Sequence, residues 1–390
     1  MTIVDAVPTT ETQLVLILDD DVTVTEGLAA GLEREGRTVI TCNDLESAQL
    51  IVERLVPSHI VTDVRLTGAF GFEGLDFIRY AKRFTPESRV ILMTGDAPEA
   101  LQLEASERGA VAFLQKPFGI NELDSVLDLL SCSALSSAEI TQRVIRMPML
   151  DEILTGSGLH PFFQPVVELT ENFPRVGFEA LARYRSNALL RNPEVLFQYA
   201  VRKHRVADLE LACISKALSA GAELAGLGWL FMNIHPDVLT HGKELRDVLV
   251  RDTERFGVDP RRIVLEITEQ GSLSDDPAVF ESLEVLRGLG IRFALDDVGI
   301  AYSHLPYIDR IRPSFLKVSQ HFGTGFEADT TKLKIITNLQ SLAADFGCEL
   351  ILEGVEHSST ARAASEMKIK YGQGYFFGRP SEASAMLAVN

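Results

Sequence analysis

Eight short apolar segments recur in the C-terminal part of this chain and limit the folds that it can adopt. Longer stretches with helical periodicity separate most of them, at residues 193–227, 236–256, 277–289 and 331–346. Alternation of short apolar runs with helices is typical of β/α folds, and eight strands are the number that closes a common barrel. The segments are residues 162–167, 176–181, 229–234, 263–267, 293–295, 315–318, 350–352 and 371–377.

One connection in this series is too short for a helix. Only residues 168–175, which include Pro174, join the first segment to the second. A connection between parallel strands needs about a dozen residues or more, so the first strand must run antiparallel to the others. We therefore predict a modified TIM (β/α)8 barrel whose first strand is antiparallel.

The N-terminal part has five apolar runs, at residues 14–18, 38–42, 59–63, 90–94 and 112–116. Amphipathic segments such as 23–35 and 75–84 lie between them. This alternation predicts an α/β domain with an open parallel sheet, the flavodoxin-like (βα)5 arrangement.

With 390 residues, the chain is long enough for two domains. Residues 131–138 are rich in serine and alanine, and the segment that follows, through Arg146, could be helical. We predict domains at 1–130 and 148–390 with a linker at 131–147, and a loose leader at 1–12. Alternatively, the last helix of the first domain continues into a signalling helix.

The charge and cysteine content exclude several classes of protein. A net charge of -18 argues against binding to a nucleic acid polymer or an anionic membrane surface. No apolar stretch approaches the ~18–20 residues that span a bilayer. The four cysteines form no CxxC pair or Cys/His cluster, which argues against zinc and disulfides and favours a cytoplasmic location; they are Cys42, Cys132, Cys213 and Cys348.

Polar residues end the apolar runs of the C-terminal part, where barrel strands place active-site groups. Like charges at close range ionise together only with cations between them, and oxygen ligands suit Mg²⁺ or Mn²⁺. The pattern therefore predicts a hard-metal site. Its residues are Glu179, Asn233, Glu266, Asp296, Asp297, Lys317, Glu353 and Gln373.

Polar residues also end the N-terminal runs, at Asp19–Asp21, Asp63, Thr94 and Lys116. These positions lie at one edge of a parallel sheet, where ligands bind. Two or three carboxylates there can hold Mg²⁺, and Asp63 can accept a phosphoryl group as an acyl phosphate. Lys116 can neutralise the phosphoryl oxygens, while the Thr94 hydroxyl follows the new charge. Alternatively, the aspartates only cap helices.

The segments LILDDD, IVTDVRL, ILMTGD and FLQKPF resemble the receiver domain of two-component response regulators, over residues 12–130. The resemblance implies phosphorylation of Asp63 by a cognate histidine kinase and one Mg²⁺ at Asp19, Asp20 and Asp63. It also implies a switch through Thr94, Phe113 and Lys116. Residues 65–73 form a longer loop than usual, which caps the site, contacts the second domain or is an exposed insertion.

The segments FFQPVV, EALAR, FMNIHP, EITE, DDVG, LKVS, EGVE and QGYFFGRP resemble the EAL phosphodiesterases of cyclic di-GMP, over residues 150–385. The resemblance implies two divalent ions, Mg²⁺ or Mn²⁺. Glu179, Asn233, Glu266 and Asp296 would hold the first, and Asp296 and Asp297 the second. Two such ions can activate a water and stabilise the leaving oxygen of a phosphodiester.

The resemblance also assigns roles around the ions. Glu353 is either the general base or a ligand of the second metal, and Lys317 and Gln373 orient the attacking water. The remaining implied roles are substrate contact for Gln164 and Arg183, guanine pockets lined by Leu181 and Pro380, and a loop anchor at Glu269.

Some of these residues have simpler interpretations. Lys317 could be only a salt-bridge partner of the carboxylates, and Glu356 could be only structural. Histidines near the motifs are not expected to be ligands, because hard-oxygen sites rarely use imidazole; they are His235, His304, His321 and His357.

The loop after the aspartate pair departs from the family pattern at Val298, Ala301 and His304, where phenylalanine, glycine and serine are usual. Ser319 replaces a usual aspartate. Ala301 matters most if its position needs a positive φ, which glycine adopts without strain. None of these changes removes a predicted metal ligand.

Two functions follow from these patterns. The first is a phosphorylation-controlled enzyme that opens cyclic di-GMP to linear pGpG, a cyclic-guanylate-specific phosphodiesterase. The second is a nonhydrolytic receptor that binds cyclic di-GMP or a protein and signals by dimer rearrangement. The resemblance implies a homodimer or higher homo-oligomer, and the acidic charge excludes a DNA-binding regulator.

Overall fold

The N-terminal part of the chain forms a six-stranded parallel sheet in the order β5-β4-β3-β1-β2-β6. The computed structural model describes residues 13–66, 73–95, 99–130, 144–187, 190–268, 276–299 and 307–388. The elements up to the end of this sheet are β1 Gln13–Leu18, α1 Val22–Leu32, β2 Arg37–Cys42, α2 Leu45–Arg54, β3 His59–Asp63, α3 Glu73–Phe84, β4 Arg89–Thr94, α4 Glu99–Arg108, β5 Ala110–Gln115, α5 Ile120–Leu130 and β6 Val144–Arg146. The five predicted strands and the flavodoxin-like fold are confirmed.

The sixth strand corrects one expectation. The segment that ends at Arg146 is not helical at its end but forms β6, which pairs in parallel with β2, Val39 opposite Val144 and Thr41 opposite Arg146. The local sequence gave no indication of this strand, because its partner is the edge of β2, far away along the chain.

The described residues divide into two compact units. The first runs to Glu152 and also contains Arg185–Lys203, and the second contains Ile153–Tyr184 and the chain from His204 onward. Helix α6 (Leu150–Thr155) crosses this boundary, and α7 (Pro193–Arg202) lies in the first unit. There Arg202 pairs with Glu53 of α2, and Lys203 Nζ lies 2.7 Å from an Asp44 oxygen.

The helix predicted at 193–227 is in fact two helices, α7 and α8 (Val206–Leu227). The chain turns between them at His204, which has a φ of 54°. A left-handed residue ends a helix, but without glycine or proline nearby the break has no signal in the sequence.

The second unit is a closed barrel of eight strands in chain order, and β7 runs antiparallel to both of its neighbours. The barrel fold and its antiparallel first strand are therefore confirmed. Its strands are β7 Leu159–Glu168, β8 Arg175–Tyr184, β9 Trp229–Ile234, β10 Ile263–Ile267, β11 Arg292–Val298, β12 Phe315–Val318, β13 Glu349–Leu352 and β14 Tyr371–Gln373. The last strand is shorter than predicted because residues 374–377 bend and turn.

Helices surround this barrel, and their apolar faces cover the outer faces of the strands in one continuous core. Besides α8, they are α9 Pro236–Leu239, α10 Gly242–Phe256, α11 Pro277–Gly288, α12 Ile308–Ile311, α13 Gln320–Gly323, α14 Thr330–Asp345, α15 Ser358–Glu366 and α16 Ala383–Leu387, with short 3-10 turns at Pro260–Arg262 and Phe326–Ala328.

A separate apolar cluster consists of strand residues alone and fills the inside of the barrel. Aromatic rings dominate it, with Phe315 lying 5.0 Å from Trp229 and 5.4 Å from Phe231 between ring centroids. Gly177 makes room for this packing, since a Cβ there would lie 2.7 Å from the Phe231 ring. The rings close the barrel below the layer that carries the polar residues.

Candidate functional site

Seven of the eight barrel strands carry a polar side chain two residues away from a member of this apolar cluster, and on β8 Gly177 takes the place of the cluster residue two positions before Glu179. Side chains at i and i+2 of a strand point to the same face, so these polar groups also face the barrel interior. On the antiparallel β7 the order is reversed, and Gln164 precedes Val166 of the cluster. The other seven are Glu179, Asn233, Glu266, Asp296, Lys317, Glu353 and Gln373. We call these eight residues the polar layer.

Lys317 lies at the centre of the polar layer and is fully buried. Its Nζ lies 2.9 Å from Glu266 and 2.8 Å from Glu353. Asp296 and Glu179 each approach it to 3.3 Å. Four strands thus direct their carboxylates at one ammonium group.

Amide side chains hold Glu179 in place. Asn233 Nδ2 donates to Glu179 Oε1 at 2.9 Å, and Gln373 Nε2 donates to Glu179 Oε2 at 2.6 Å. Gln164 Nε2 in turn donates to the carbonyl of Gly378 at 3.2 Å. Because both amides use their nitrogen on Glu179, the amide oxygens of Asn233 and Gln373 remain as acceptors or ligands.

The adjacent aspartates reach the barrel end by a backbone irregularity. The register of β11 against β12 shifts between Leu295 and Val298, and Asp297 adopts a φ of 51°. In regular β structure, consecutive side chains point to opposite faces. The shift and the left-handed residue interrupt that alternation at Asp296 and Asp297, the second of which is exposed.

The protonation of the polar layer reflects burial and crowding. Burial raises the pKa of Glu353 to about 8 and that of Glu266 well above its usual range. Burial also raises the pKa of Asp296, with Glu179 and Asp297 adding to the effect. For Glu179, Lys317 and the two amide donors outweigh burial, and its pKa is lowered. Burial alone would lower the pKa of Lys317, but the carboxylates raise it well above its usual range.

The layer also contains buried oxygens that accept no hydrogen bond from any described residue. They are both carboxylate oxygens of Glu266, Oδ1 of Asp296 and Oε1 of Gln373. Lys317 approaches two of them as an ion pair, but one ammonium cannot balance four carboxylates. Unsatisfied buried oxygens with excess negative charge fit divalent cations that prefer oxygen ligands.

The residues predicted to bind substrate lie beside this layer. Arg183, four residues beyond Glu179 on β8, is half-buried and lies over the ring of Phe162 at 5.9 Å. Leu181 pairs with Phe162 across the β7–β8 ladder. Pro380 precedes Ser381, which bridges to Phe163 of β7. The side chains of Leu181 and Pro380 are half-buried.

Some predicted features fall outside the described residues, namely the loop anchor Glu269, the departures Ala301 and His304, and most of the loop 65–73. Two other departures are described. Val298 is buried, and Ser319 accepts a hydrogen bond from the His321 amide at the start of α13.

The parallel sheet carries a second, more open cluster. Asp19, Asp20 and Asp63 each offer a carboxylate oxygen, and these oxygens lie within 4.8 Å of one another. Lys116 Nζ is 2.6 Å from Asp19 and 3.3 Å from Asp63. Three carboxylates at this spacing could hold one divalent cation. Asp21 instead caps α1, accepting a hydrogen bond from the Thr23 amide, so the capping alternative holds for that residue.

Burial raises the pKa of Asp63, with Asp19 adding and Lys116 opposing. Burial lowers the pKa of Lys116, but its contacts with Asp19 and Asp63 outweigh burial and the pKa is raised. Thr94 is buried at the end of β4, and Phe113 lies half-buried on the neighbouring β5. The structure thus places all the predicted residues of this cluster on four neighbouring strands, β1, β3, β4 and β5, and the segments that follow them.

Glu210 of α8 is a buried glutamate without a role predicted from the sequence. Its two oxygens both face the backbone amide of His235, which lies two residues after Asn233. Its signal in the sequence is weak: one acidic residue within the buried face of a helix that also contains Leu209, Ile214 and Leu218.

Comparisons with known proteins agree with both domains. The EAL domain family matches residues 148–380, and the response regulator receiver domain matches residues 15–128. RocR of Pseudomonas aeruginosa, named as a cyclic di-GMP phosphodiesterase, is 27% identical over 322 residues, which are 80% of this chain and 81% of RocR.

Solved structures are similar to the barrel unit. The EAL enzyme Bd1971, with cAMP and cyclic di-GMP bound, has a TM-score of 0.56 and 24% identity, covering 62% of this chain and 66% of that one. BlrP1 of Klebsiella pneumoniae, as a manganese and cyclic di-GMP complex, has a TM-score of 0.52 and 25% identity, covering 58% of this chain and 57% of that one.

Among the described residues, the helices are all too short or too polar to cross a membrane. The matched segments cover the barrel, the first five strands of the parallel sheet and the two lysine–carboxylate clusters, while β6 lies between the two segments. The chain belongs to the EAL domain family and carries a response regulator receiver domain before its EAL domain.

Proposed function

We propose that this chain is a response regulator that hydrolyses cyclic di-GMP to linear pGpG at the polar layer, under control of phosphorylation at Asp63. The observation that carries the proposal is the convergence of one polar side chain from every barrel strand, with buried oxygens left unsatisfied. The name of RocR, a cyclic di-GMP phosphodiesterase, supports the choice of substrate.

The proposal assigns Glu179, Asn233, Glu266 and Asp296 to one divalent cation and Asp296 with Asp297 to a second, either Mg²⁺ or Mn²⁺. The manganese named for the BlrP1 complex supports this assignment. Cations bound here would withdraw charge from the phosphoryl oxygens and lower the pKa of a water.

Glu353 is the proposed general base. Its carboxylate accepts a proton from the attacking water while the new P–O bond forms. The P–O bond to one ribose oxygen breaks, and that oxygen takes up a proton as it leaves. Adjacent cations would lower the pKa of Glu353 from about 8, so that the carboxylate is ionised at neutral pH. Lys317, 2.8 Å from Glu353, and Gln373 orient the water.

The walls beside the layer bind the substrate. The guanidinium of Arg183 suits a bidentate contact with a phosphate, and Gln164 is positioned to donate beside it. Leu181 and Pro380 supply apolar surface for the guanine bases. These roles come from the family resemblance and agree with the placement of all four residues near β7 and β8.

The open cluster is the proposed control site. Asp63 accepts a phosphoryl group from a cognate histidine kinase, its carboxylate oxygen forming the new bond to phosphorus as the donor leaves. Asp19, Asp20 and Asp63 would hold one Mg²⁺, and Lys116 would neutralise the phosphoryl oxygens. Thr94 and Phe113 would rearrange in response. A homodimer or higher homo-oligomer stays a prediction.

A second function is a receptor that binds cyclic di-GMP without hydrolysing it. The observation in its favour is the set of departures at Val298, Ala301 and His304, in the segment that follows Asp297. The complete polar layer favours the enzyme, because loss of metal ligands is what would disable this chemistry.

Incubation of the purified full chain with cyclic di-GMP and Mg²⁺ or Mn²⁺ tests the proposal. We expect linear product, and a rate that changes with a small acyl-phosphate donor in the native chain but not in Asp63→Asn. Absence of product with and without the donor would contradict the enzyme, and binding of cyclic di-GMP under those conditions would identify the receptor.

A further inference from the structure

Glu210 is a nearly fully buried carboxyl group that the proposed chemistry does not use. It lies on α8 with 4% of its surface exposed. Its Oε1 and Oε2 lie 2.8 and 2.7 Å from the backbone nitrogen of His235. No lysine or arginine among the described residues forms an ion pair with it, so the His235 amide is its one strong partner.

Such a group is costly to bury. A carboxyl without a cationic partner loses its hydration, and burial raises the pKa of Glu210 to about 8, which leaves it largely protonated at neutral pH. The neighbouring buried positions of α8 hold leucine, isoleucine and alanine. An apolar residue would pack there without that cost, so the hydrogen bond to His235 must have its own importance.

The position of that hydrogen bond suggests its role. Strand β9 ends at Ile234, and α9 begins at Pro236, which has no amide proton to donate. Among the residues that the structure describes, two hydrogen bonds hold this turn to its surroundings: the Thr268 amide donates to the Ile234 carbonyl at 3.2 Å, and the His235 amide donates to Glu210. The turn follows Asn233 by two residues.

The position of the Asn233 side chain depends on the backbone path at the end of β9. Its Nδ2 donates to Glu179 at 2.9 Å, which leaves its amide oxygen as the atom available to a cation. A shift of the turn by a fraction of an ångström would change both the hydrogen bond and the position of that oxygen.

We propose that Glu210 is a positioning residue that fixes the turn after β9, so that Asn233 holds Glu179 and presents its amide oxygen to the cation. The inference rests on the proposed function, because the cation site is part of it. Glu210 does not touch the cation or the substrate and acts through the His235 amide.

The test measures Mn²⁺ binding to the full chain by electron paramagnetic resonance of free Mn²⁺, with the exposed Asp20 replaced (Asp20→Ala) in every sample to weaken the open cluster equally. We expect Glu210→Ala to weaken Mn²⁺ binding at the barrel by about tenfold or more, the size typical of residues that support metal ligands. Glu210→Gln, which keeps an acceptor, should stay within about threefold of the parent.

Asp252 provides the matched control, because it is a buried carboxylate on α10 of the same unit, paired with Arg251 and outside the polar layer. Asp252→Ala should lower the melting temperature without changing Mn²⁺ affinity. Equal loss of affinity in both alanine variants, or full affinity in a folded Glu210→Ala, would overturn the positioning role. If Glu210→Ala does not fold, Glu210→Asp, which shortens the side chain, should still weaken binding, and unchanged affinity would overturn the role.

Turnover of cyclic di-GMP by the parent chain is measured beside these titrations. If the parent binds Mn²⁺ but does not hydrolyse cyclic di-GMP, and the variants bind Mn²⁺ as expected, the result contradicts the proposed enzyme and supports the role of Glu210. If the parent hydrolyses cyclic di-GMP and Glu210→Ala binds Mn²⁺ with unchanged affinity, the result supports the enzyme and contradicts the positioning role of Glu210.

Discussion

Lys116 and Lys317 lie at the carboxyl ends of parallel strands in two different sheets, and each contacts carboxylates from other strands of its sheet. The two lysines differ in how deeply they are buried and in how many carboxylates they contact. Lys116 keeps 28% of its side chain exposed and contacts Asp19 and Asp63. Lys317 keeps 1% exposed and contacts four carboxylates within 3.3 Å.

The difference corresponds to the two proposed tasks. An aspartate that receives a phosphoryl group from another protein must be reachable, so its cluster stays at an open sheet edge and relies on few contacts. A site that must stabilise a developing charge works best when its charged groups are held in fixed positions and water is excluded. The closed barrel supplies that by burying its lysine above a floor of aromatic rings.

The largest expected difference between the two clusters is their sensitivity to loss of the lysine. Lys317→Met leaves four carboxylates without a cation, two of them buried and two partly buried, and breaking a buried ion pair typically costs about 3–5 kcal/mol. Lys116→Met should cost about 1 kcal/mol or less, because its contacts are partly solvated. Urea unfolding in the presence of a chelator measures both.

Added Mn²⁺ should restore part of the lost stability of Lys317→Met, because a bound cation stabilises the folded state. Similar free energies of unfolding for the two variants would remove the distinction between a buried and an open cluster.

A smaller effect is expected from pH. The raised pKa of Glu353, about 8, means that the folded barrel binds more protons than the unfolded chain between about pH 4.5 and 8. Stability from this group is therefore present at the acidic end of that window and is lost as the pH rises. From pH 6 to 8 we expect a loss of roughly 2 kcal/mol in chelator.

Unfolding of Glu353→Gln at the same two pH values is the control, since glutamine does not titrate. Its stability should change less with pH than that of the native chain. Equal slopes would show that Glu353 does not titrate in this window.

The smallest effect concerns the paired aspartates. Asp297 adopts a left-handed conformation, whereas Asp20, the second of the adjacent aspartates in the open cluster, does not. Asp297→Ala should cost about 1 kcal/mol through backbone strain, while Asp297→Gly and Asp297→Asn should cost less. Thermal unfolding with Asp20→Ala as the strain-free comparison measures this, and equal costs for all three Asp297 variants would argue against strain.

Local patterns predicted most of the fold. Strands such as β9 and β12 are short apolar runs with polar residues near their ends, and the short link at Pro174 correctly required an antiparallel strand. The patterns did not predict the structure where contacts between residues far apart in the sequence determine it. Strand β6 depends on the edge of β2, and the break at His204 has no glycine or proline to mark it.

For the site, the sequence predicted the residues better than it predicted their arrangement. Motifs named all eight residues of the polar layer, but the central place of Lys317 among four carboxylates follows from barrel closure and register. Glu210 was missed because its importance lies in one backbone amide on another element. Asp21 shows the opposite case, a member of an acidic run that turned out to cap a helix.

A comparison of Glu353→Gln with Asp63→Asn, for Mn²⁺-dependent turnover and cyclic di-GMP binding without a phosphoryl donor, tests whether the barrel hydrolyses and the open cluster controls. We predict that Glu353→Gln loses about 10²–10⁴-fold in turnover while it keeps binding, as expected for a general base. Asp63→Asn should match the native chain in both. Turnover retained in Glu353→Gln, or lost in Asp63→Asn, would contradict the assignment of hydrolysis to the barrel and of control to the open cluster.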